Sequence, residues 1–260
     1  MNEQNPSRLQ KTSVAAFENF LTAKYERLAG VSRTRSYPYI LVIDPSSICQ
    51  LRCPICPTGA SNAQRKIKGL PDAELSPSRL ERGILEAILD ECGDLLFYCH
   101  FFNWGEPLLN QNLSAFIRMA HDYGIYTRFD TNLSLRCSDD RLKTLLQSGL
   151  DELEASIDGF SQQTYEQYRV GGRFDLALDN LKRLAKMRDS LGLNTKINWN
   201  FLIFSFNEHE ATSISEFCTE HKINFVPKHA FIPRENSAWL PSYRREQRPA
   251  GGVISQFFSD

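Results

Sequence analysis

From Tyr39 onward the chain alternates between short β-rich runs and helical patterns, and no other feature constrains its fold so strongly. The runs lie at 39–44, 95–103, 125–131, 151–157, 195–204 and 223–230. Between them, at about 76–92, 112–123, 139–148, 161–168, 174–191 and 208–221, apolar residues return every three or four positions, as on one face of a helix. Gly124, Gly149 and Gly192 follow three of these segments, where a helix C-cap belongs. Such repetition reads as consecutive β/α units with parallel strands and right-handed crossovers. A full eight-unit barrel typically takes about 250 residues, so six units over roughly 190 residues predict an α/β fold of the partial (β/α)6 TIM-like barrel kind. A doubly wound open sheet has the same element pattern, and periodicity alone does not separate the two.

Three parts follow: an N-terminal helical extension (1–36), the barrel core (37–230), and residues 231–260, where the pattern is lost among three prolines and a basic stretch. That last part reads as a tail or as the start of a truncated extension. In the first part Val14, Phe17, Leu21, Tyr25 and Leu28 form an apolar stripe expected to face the core, with Gly30 as the stop. With 30 basic and 31 acidic side chains, the net charge of −1 gives no bulk electrostatic reason to bind nucleic acid or an anionic membrane. No apolar run approaches the ~20 residues that span a bilayer. The polar segment Met1 to Lys11 lacks a signal-peptide core, so a cytoplasmic location is expected.

Seven cysteines, an odd number unevenly spaced, argue against a disulfide framework in such a compartment. Cys92, Cys99, Cys137 and Cys218 are isolated and read as packing residues. Cys49, Cys53 and Cys56 instead form a C-x3-C-x2-C cluster just beyond the first strand. In parallel α/β folds, ligands gather at the C-terminal ends of strands. Other polar groups meet there too: Asn103 to Pro107 after the second strand, Thr131 and Asn132 after the third, Ser156 and Asp158 after the fourth, Lys228 and His229 at the sixth. Asn198 and Asn200 lie inside the fifth and break the rule. A structural zinc wants four ligands, commonly as two separated pairs, and this triplet has no second pair. A [4Fe-4S] cluster fits the triplet better: three thiolates bind three irons and leave one open to a chelating ligand.

The chain resembles the radical S-adenosylmethionine (radical SAM) superfamily. The resemblance rests on the cysteine loop within 45–59, the stretch Asn103 to Leu109, the stretch Ala155 to Gly159 and the stretch Tyr165 to Gly172, and covers roughly residues 38–230. It is closest in look to members with SPASM or twitch extensions. It implies the radical SAM type of partial barrel. It further implies that Cys49, Cys53 and Cys56 ligate the cluster, whose open iron takes the amino and carboxylate groups of SAM. One electron then cleaves SAM, and a 5′-deoxyadenosyl radical abstracts hydrogen from a substrate.

The resemblance puts Trp104, Gly105 and Glu106 at the SAM amino group, and Ser156 and Asp158 at its ribose or carboxylate end. Arg169 would sit at the carboxylate, with Ile55 and Asn132 among the further cofactor contacts. Two departures stand out. Ile55 occupies a usually aromatic position, though its backbone remains free to contact adenine, and Trp104 replaces the first glycine of a Gly-Gly-Glu stretch. No cysteine follows Cys218, as auxiliary clusters in such extensions would require. The partners implied are a peptide or small-metabolite substrate and an electron donor such as a flavodoxin or ferredoxin; the net reaction would be an oxidoreductase's. A basic loop at Arg65, Lys66 and Lys68 is a solvated loop or a recruiting surface. A zinc-binding module without catalysis, and a radical SAM fold that has lost it, are the alternatives.

Overall fold

The structure, a computed structural model, describes residues 13–59 and 78–242. All six β-rich runs form strands: β1 (Ile40–Val42), β2 (Tyr98–His100), β3 (Tyr126–Thr131), β4 (Glu152–Ser156), β5 (Lys196–Ile203) and β6 (Asn224–His229). A helix α1 (Val14–Leu28) precedes them. Between the strands lie α2 (Arg82–Cys92), α3 (Leu113–Asp122), α4 (Asp139–Gln147), α5 (Gln162–Tyr168), α6 (Phe174–Ser190) and α7 (Ala211–Glu220). Gly124, Gly149 and Gly192 each take a positive φ after their helices, as C-caps do.

Strand order separates the two candidate architectures. The sheet runs β1-β2-β3-β4-β5-β6, and every neighbouring pair is parallel. A doubly wound sheet reverses direction at a switch point and places helices on both faces. Here each strand is added beside the last, so right-handed crossovers leave the helices on one face and the sheet curls about the other. The sheet ends at β1 and β6, which do not pair, so the barrel is partial and open on one side.

The pleat divides the side chains between those faces. Toward the helices point Cys99, Phe129, Leu153, Ala155, Ile197, Trp199 and Phe201, all fully buried. They join Leu85 and Leu89 of α2, Phe116 and Ile117 of α3, Leu142 and Leu145 of α4, Leu181 and Leu184 of α6 and Ile214 of α7 in one core. Trp199 anchors it, with its indole N–H on the Ile157 carbonyl at 2.7 Å and its ring between Phe160 and Phe217. The alternate positions face the lumen and are polar. Asn198 donates to Glu152 at 2.6 Å and Glu154 at 2.5 Å, Arg128 pairs with Asp130 and Glu154, and Lys228 reaches Glu154 at 3.6 Å. Buried charges survive there because each has a partner of opposite sign or a hydrogen bond.

At the edges of the core one expectation fails, and one segment turns out better packed than a free tail. The α1 stripe does not face the core: Val14, Phe17, Leu21, Tyr25 and Leu28 are between 51% and 88% exposed. The helix docks instead through Ala16, through Phe20 against Tyr39 and Phe97, and through buried Glu26, which accepts the Arg35 and Ser36 N–H groups at 2.7 and 3.2 Å. Specific polar and aromatic contacts thus outweigh the periodic stripe in orienting it. The segment read as a tail is packed over its described part. Ile232 and Leu240 are buried, Trp239 meets Phe204 and Tyr168, and Ser205 N–H bonds to the Trp239 carbonyl at 3.0 Å. Residues 76 and 77, at the expected start of α2, and Arg65, Lys66 and Lys68 lie outside the described residues. Among the described residues no helix is long and apolar enough to cross a membrane.

Trp199→Ala should lower unfolding free energy by about 3–5 kcal/mol, the usual cost of deleting a buried aromatic. Urea unfolding followed by circular dichroism measures it.

Candidate functional site

The loops at the C-terminal rim are fastened to one another before any ligand is considered. Asp44, just after β1, accepts the backbone N–H groups of Asn103 at 2.7 Å and Trp104 at 3.0 Å. Gly105 then passes so close to the cysteine loop that a Cβ there would lie 1.5 Å from the Ser46 carbonyl oxygen. The next N–H, of Glu106, bonds to the Ile48 carbonyl at 2.8 Å. On the far side Arg52 N–H reaches the Val170 carbonyl at 2.9 Å. Beneath the loop lies a second apolar cluster of Leu51, Cys53, Tyr168, Phe204, Ala230, Ile232 and Leu240, with Ile55 and Cys56 packed against it.

These loops frame a cavity of about 370 Å³ lined by Cys49, Cys53, Cys56, Ile55, Trp104, Gly105, Glu106, Asn132, Ser156 and Arg169. Every residue expected at the site is there except Asp158. Both Asp158 oxygens are committed inside the protein: Oδ1 accepts the Leu202 N–H at 2.7 Å and Oδ2 accepts Arg169 Nε at 2.5 Å. Asp158 therefore orients Arg169 instead of lining the cavity. Burial works against the Arg169 charge, but the Asp158 carboxylate outweighs it and holds the guanidinium firmly protonated.

Glu106 is almost wholly buried yet forms no ion pair among the described residues. Its carboxylate accepts three hydrogen bonds, from Leu108 N–H at 3.0 Å, Thr131 hydroxyl at 2.6 Å and Asn132 N–H at 2.9 Å. Burial raises its pKa and these donors oppose the rise. A desolvated carboxylate on a cavity wall, without an ion pair of its own among the described residues, is complementary to an ammonium ligand.

The three thiols sit together on the same wall, Cys53 buried and Cys49 and Cys56 half-buried. Burial pushes the Cys49 thiol up to about 12, opposed by the Leu51 N–H and reinforced by Glu106 and the other two cysteines. Cys53 is likewise raised by burial, against the pull of Arg169. Thiols in this state need positively charged iron to become thiolates. Among the described residues no three cysteine, histidine or acidic side chains converge as one bound metal ion requires. Ligands of a four-iron cluster need no such convergence, because each thiolate takes a different iron. The donor set therefore fits the cluster.

Comparison with known proteins gives this geometry a family. The model of the Radical SAM superfamily matches residues 43–199, more than half of the 260-residue chain. The chain belongs to the radical SAM superfamily. Among curated relatives, PqqA peptide cyclase of Rhodopseudomonas palustris is 30% identical over 191 residues, covering 74% of this chain and 46% of the relative. GTP 3',8-cyclase of a Sulfurovum species is 30% identical over 128 residues, or 47% of this chain and 36% of that protein. Streptococcus suis SuiB, solved with S-adenosylmethionine, superposes with a TM-score of 0.60 at 18% identity, over 90% of this chain and 52% of that one. The two curated relatives are named as enzymes, and the fold is shared with SuiB. The chain spans about half the length of, or less than, the curated relatives it matches.

Two residues that hold the site escaped sequence reasoning, and a third, Asn200, stood there only as an exception to the strand-end rule. Asp44 carries no motif, although an acid just after a strand is an ordinary anchor for a neighbouring loop's N–H groups. Gln50 lies between two cysteines and drew no notice. Asn200, inside β5, lines the cavity next to Ser156 of β4, with its Oδ1 buried and without a hydrogen bond. Its lumen-facing parity was the available signal.

Gly105→Ala should destabilise the metal-free protein by about 2 kcal/mol or more, since the new methyl meets backbone that cannot rotate away. A fall in thermal unfolding temperature without change in far-ultraviolet circular dichroism is the expected result.

Proposed function

We propose that this chain is a radical SAM enzyme whose Cys49, Cys53 and Cys56 hold a [4Fe-4S] cluster, with SAM bound beside it in the rim cavity. The observation that carries the reading is the meeting of three thiols, two of them raised by burial, and a buried carboxylate without an ion pair among the described residues on one cavity wall. When bound, cluster and SAM supply one-electron cleavage of a sulfonium and abstraction of a hydrogen atom from substrate.

The chain's own residues supply position. Glu106 receives the SAM ammonium, held in place by Thr131, Leu108 and Asn132. Arg169, oriented by Asp158, presents its outer nitrogens to the SAM carboxylate. Trp104 and Gly105 offer backbone carbonyls, Ser156 on β4 serves the ribose, and the Ile55 backbone lies against adenine. Asn200 and the polar lumen below meet the substrate end of the cavity. The close-fitting loops and the apolar cluster beneath them keep water away from the reacting atoms.

The substrate class we favour is a peptide, with a small metabolite second. Two features support it. The gap between β1 and β6 leaves a lateral entrance. The relatives include a peptide cyclase, and SuiB is also known with its precursor peptide SuiA, at a TM-score of 0.57. A small electron-transfer protein of the flavodoxin or ferredoxin kind would reduce the cluster, and the reducing cytoplasm suits its chemistry.

Anaerobic reconstitution should give a brown protein with about four iron and four sulfide per chain, and Cys53→Ala should lose most of that iron. Dithionite with SAM should then release 5′-deoxyadenosine, detected by chromatography. Stoichiometric zinc in a colourless protein would instead establish the zinc module. A loaded protein that releases no 5′-deoxyadenosine, even with candidate substrates, would establish a fold without catalysis.

Proton release adds a pH prediction. Because burial raises the Cys49 and Cys53 thiols, iron must displace protons from them, and its apparent affinity should climb as pH rises from about 7 to about 9. Iron uptake at fixed iron concentration across that range checks the sign; uptake that falls would contradict it.

A further inference from the structure

Asn132, expected among the SAM contacts, lines the cavity, and its side chain also engages the cysteine loop. Its Oδ1 accepts the backbone N–H of Ser134 at 2.9 Å and the Gln50 Nε2 at 2.8 Å. A backbone N–H only donates, so the Asn132 oxygen must face Ser134 and its amide nitrogen must face the other way. There Nδ2 lies 3.7 Å from Cys49 Sγ. Gln50 is fixed by the same reasoning: its Nε2 also donates to the Ser134 carbonyl, an acceptor only, at 3.1 Å. Both amides thus have one orientation, and the chain of hydrogen bonds ends on a sulfur.

The three sulfurs are not treated alike. Cys49 Sγ also receives the Leu51 N–H at 3.4 Å, so two nitrogen donors point at it. Cys53 Sγ has Arg169 Nη1 at 4.0 Å, and no hydrogen bond to the Cys56 sulfur forms among the described residues. Asn132 is 5% exposed, so the donor side of its bond to half-buried Cys49 is shielded from competing water.

We propose that Asn132, held in orientation by Gln50, is a positioning residue that sets the reduction potential of the cluster through an N–H···S bond to the Cys49 thiolate. This rests on the cluster reading above. An N–H aimed at a ligand sulfur stabilises the additional negative charge of the reduced cluster, so it raises the potential and eases reduction. The backbone N–H of Asn132, bound to Glu106, is a separate contact that a side-chain replacement leaves in place.

The test compares the anaerobically reconstituted full chain with Asn132→Ala, Asn132→Asp and Gln50→Leu, by potentiometric titration followed by electron paramagnetic resonance. Iron and sulfide per chain are measured alongside. Each variant should load its cluster as the unmodified chain does. The midpoint should move to more negative potential in Asn132→Ala and further in Asn132→Asp, which removes the donor and adds charge. A smaller shift of the same sign is expected in Gln50→Leu, where Asn132 keeps its Ser134 anchor. An unchanged midpoint in a fully loaded Asn132→Ala protein overturns the proposal. If the Asn132 variants do not fold, an unchanged midpoint in Gln50→Leu overturns it instead. Failure of the unmodified chain to take up iron would refute the cluster reading itself, a different result from an unmoved potential.

Discussion

One buried carboxylate holds the rim together. The Glu106 side chain joins its own turn, through Leu108, to the end of β3, through Thr131 and Asn132, while its backbone N–H ties the same residue to Ile48 of the cysteine loop. Burial makes the charged form costly, and the three donors supply the compensation that water would otherwise give. Three loops from three β/α units are therefore registered against one group. The cysteines, the turn that faces them and the polar end of β3 take their relative places from it.

The barrel beneath is built with opposite solvents on its two faces. Apolar burial between sheet and helices supplies the main driving force, concentrated in residues such as Phe129, Leu153, Trp199 and Phe201. The lumen carries Arg128, Asp130, Glu152, Glu154, Asn198 and Lys228, which satisfy one another across β3, β4, β5 and β6. Such a network is rigid where complete and receptive where it is not. Asn200 Oδ1 is one such receptive point, buried at the cavity and still without a donor.

Much of this was legible in the sequence because it depends on local periodicity. Short β-rich runs specified the strands, three- and four-residue spacing specified the helices, and the glycines marked helix ends. The cysteine triplet and most of the cavity lining were legible for a related reason, since residues just beyond parallel strands share one rim. Properties set by tertiary choice were not legible. The α1 stripe looked like a core face, but docking through Phe20 and Glu26 turned it outward. Asp158 stands at the right strand end, yet its partners Arg169 and Leu202 draw it away from the cavity. The β5 residue Asn200 seemed out of place because strand-end counting ignores a lumen that is itself part of the site.

The approach of Gly105 to Ser46 also limits how this protein can change. Most damaging substitutions in a core can be offset by shrinking a neighbouring side chain, because the lost volume is recoverable elsewhere. At Gly105 the neighbour is a carbonyl oxygen, which every amino acid carries. No side-chain replacement at Ser46 makes room, so a suppressor of Gly105→Ala must alter the path of the main chain. Insertions or deletions in the loop after β1 would do so, at the expense of the spacing that presents the cysteines. The length of that loop and the identity of residue 105 are thus inherited together.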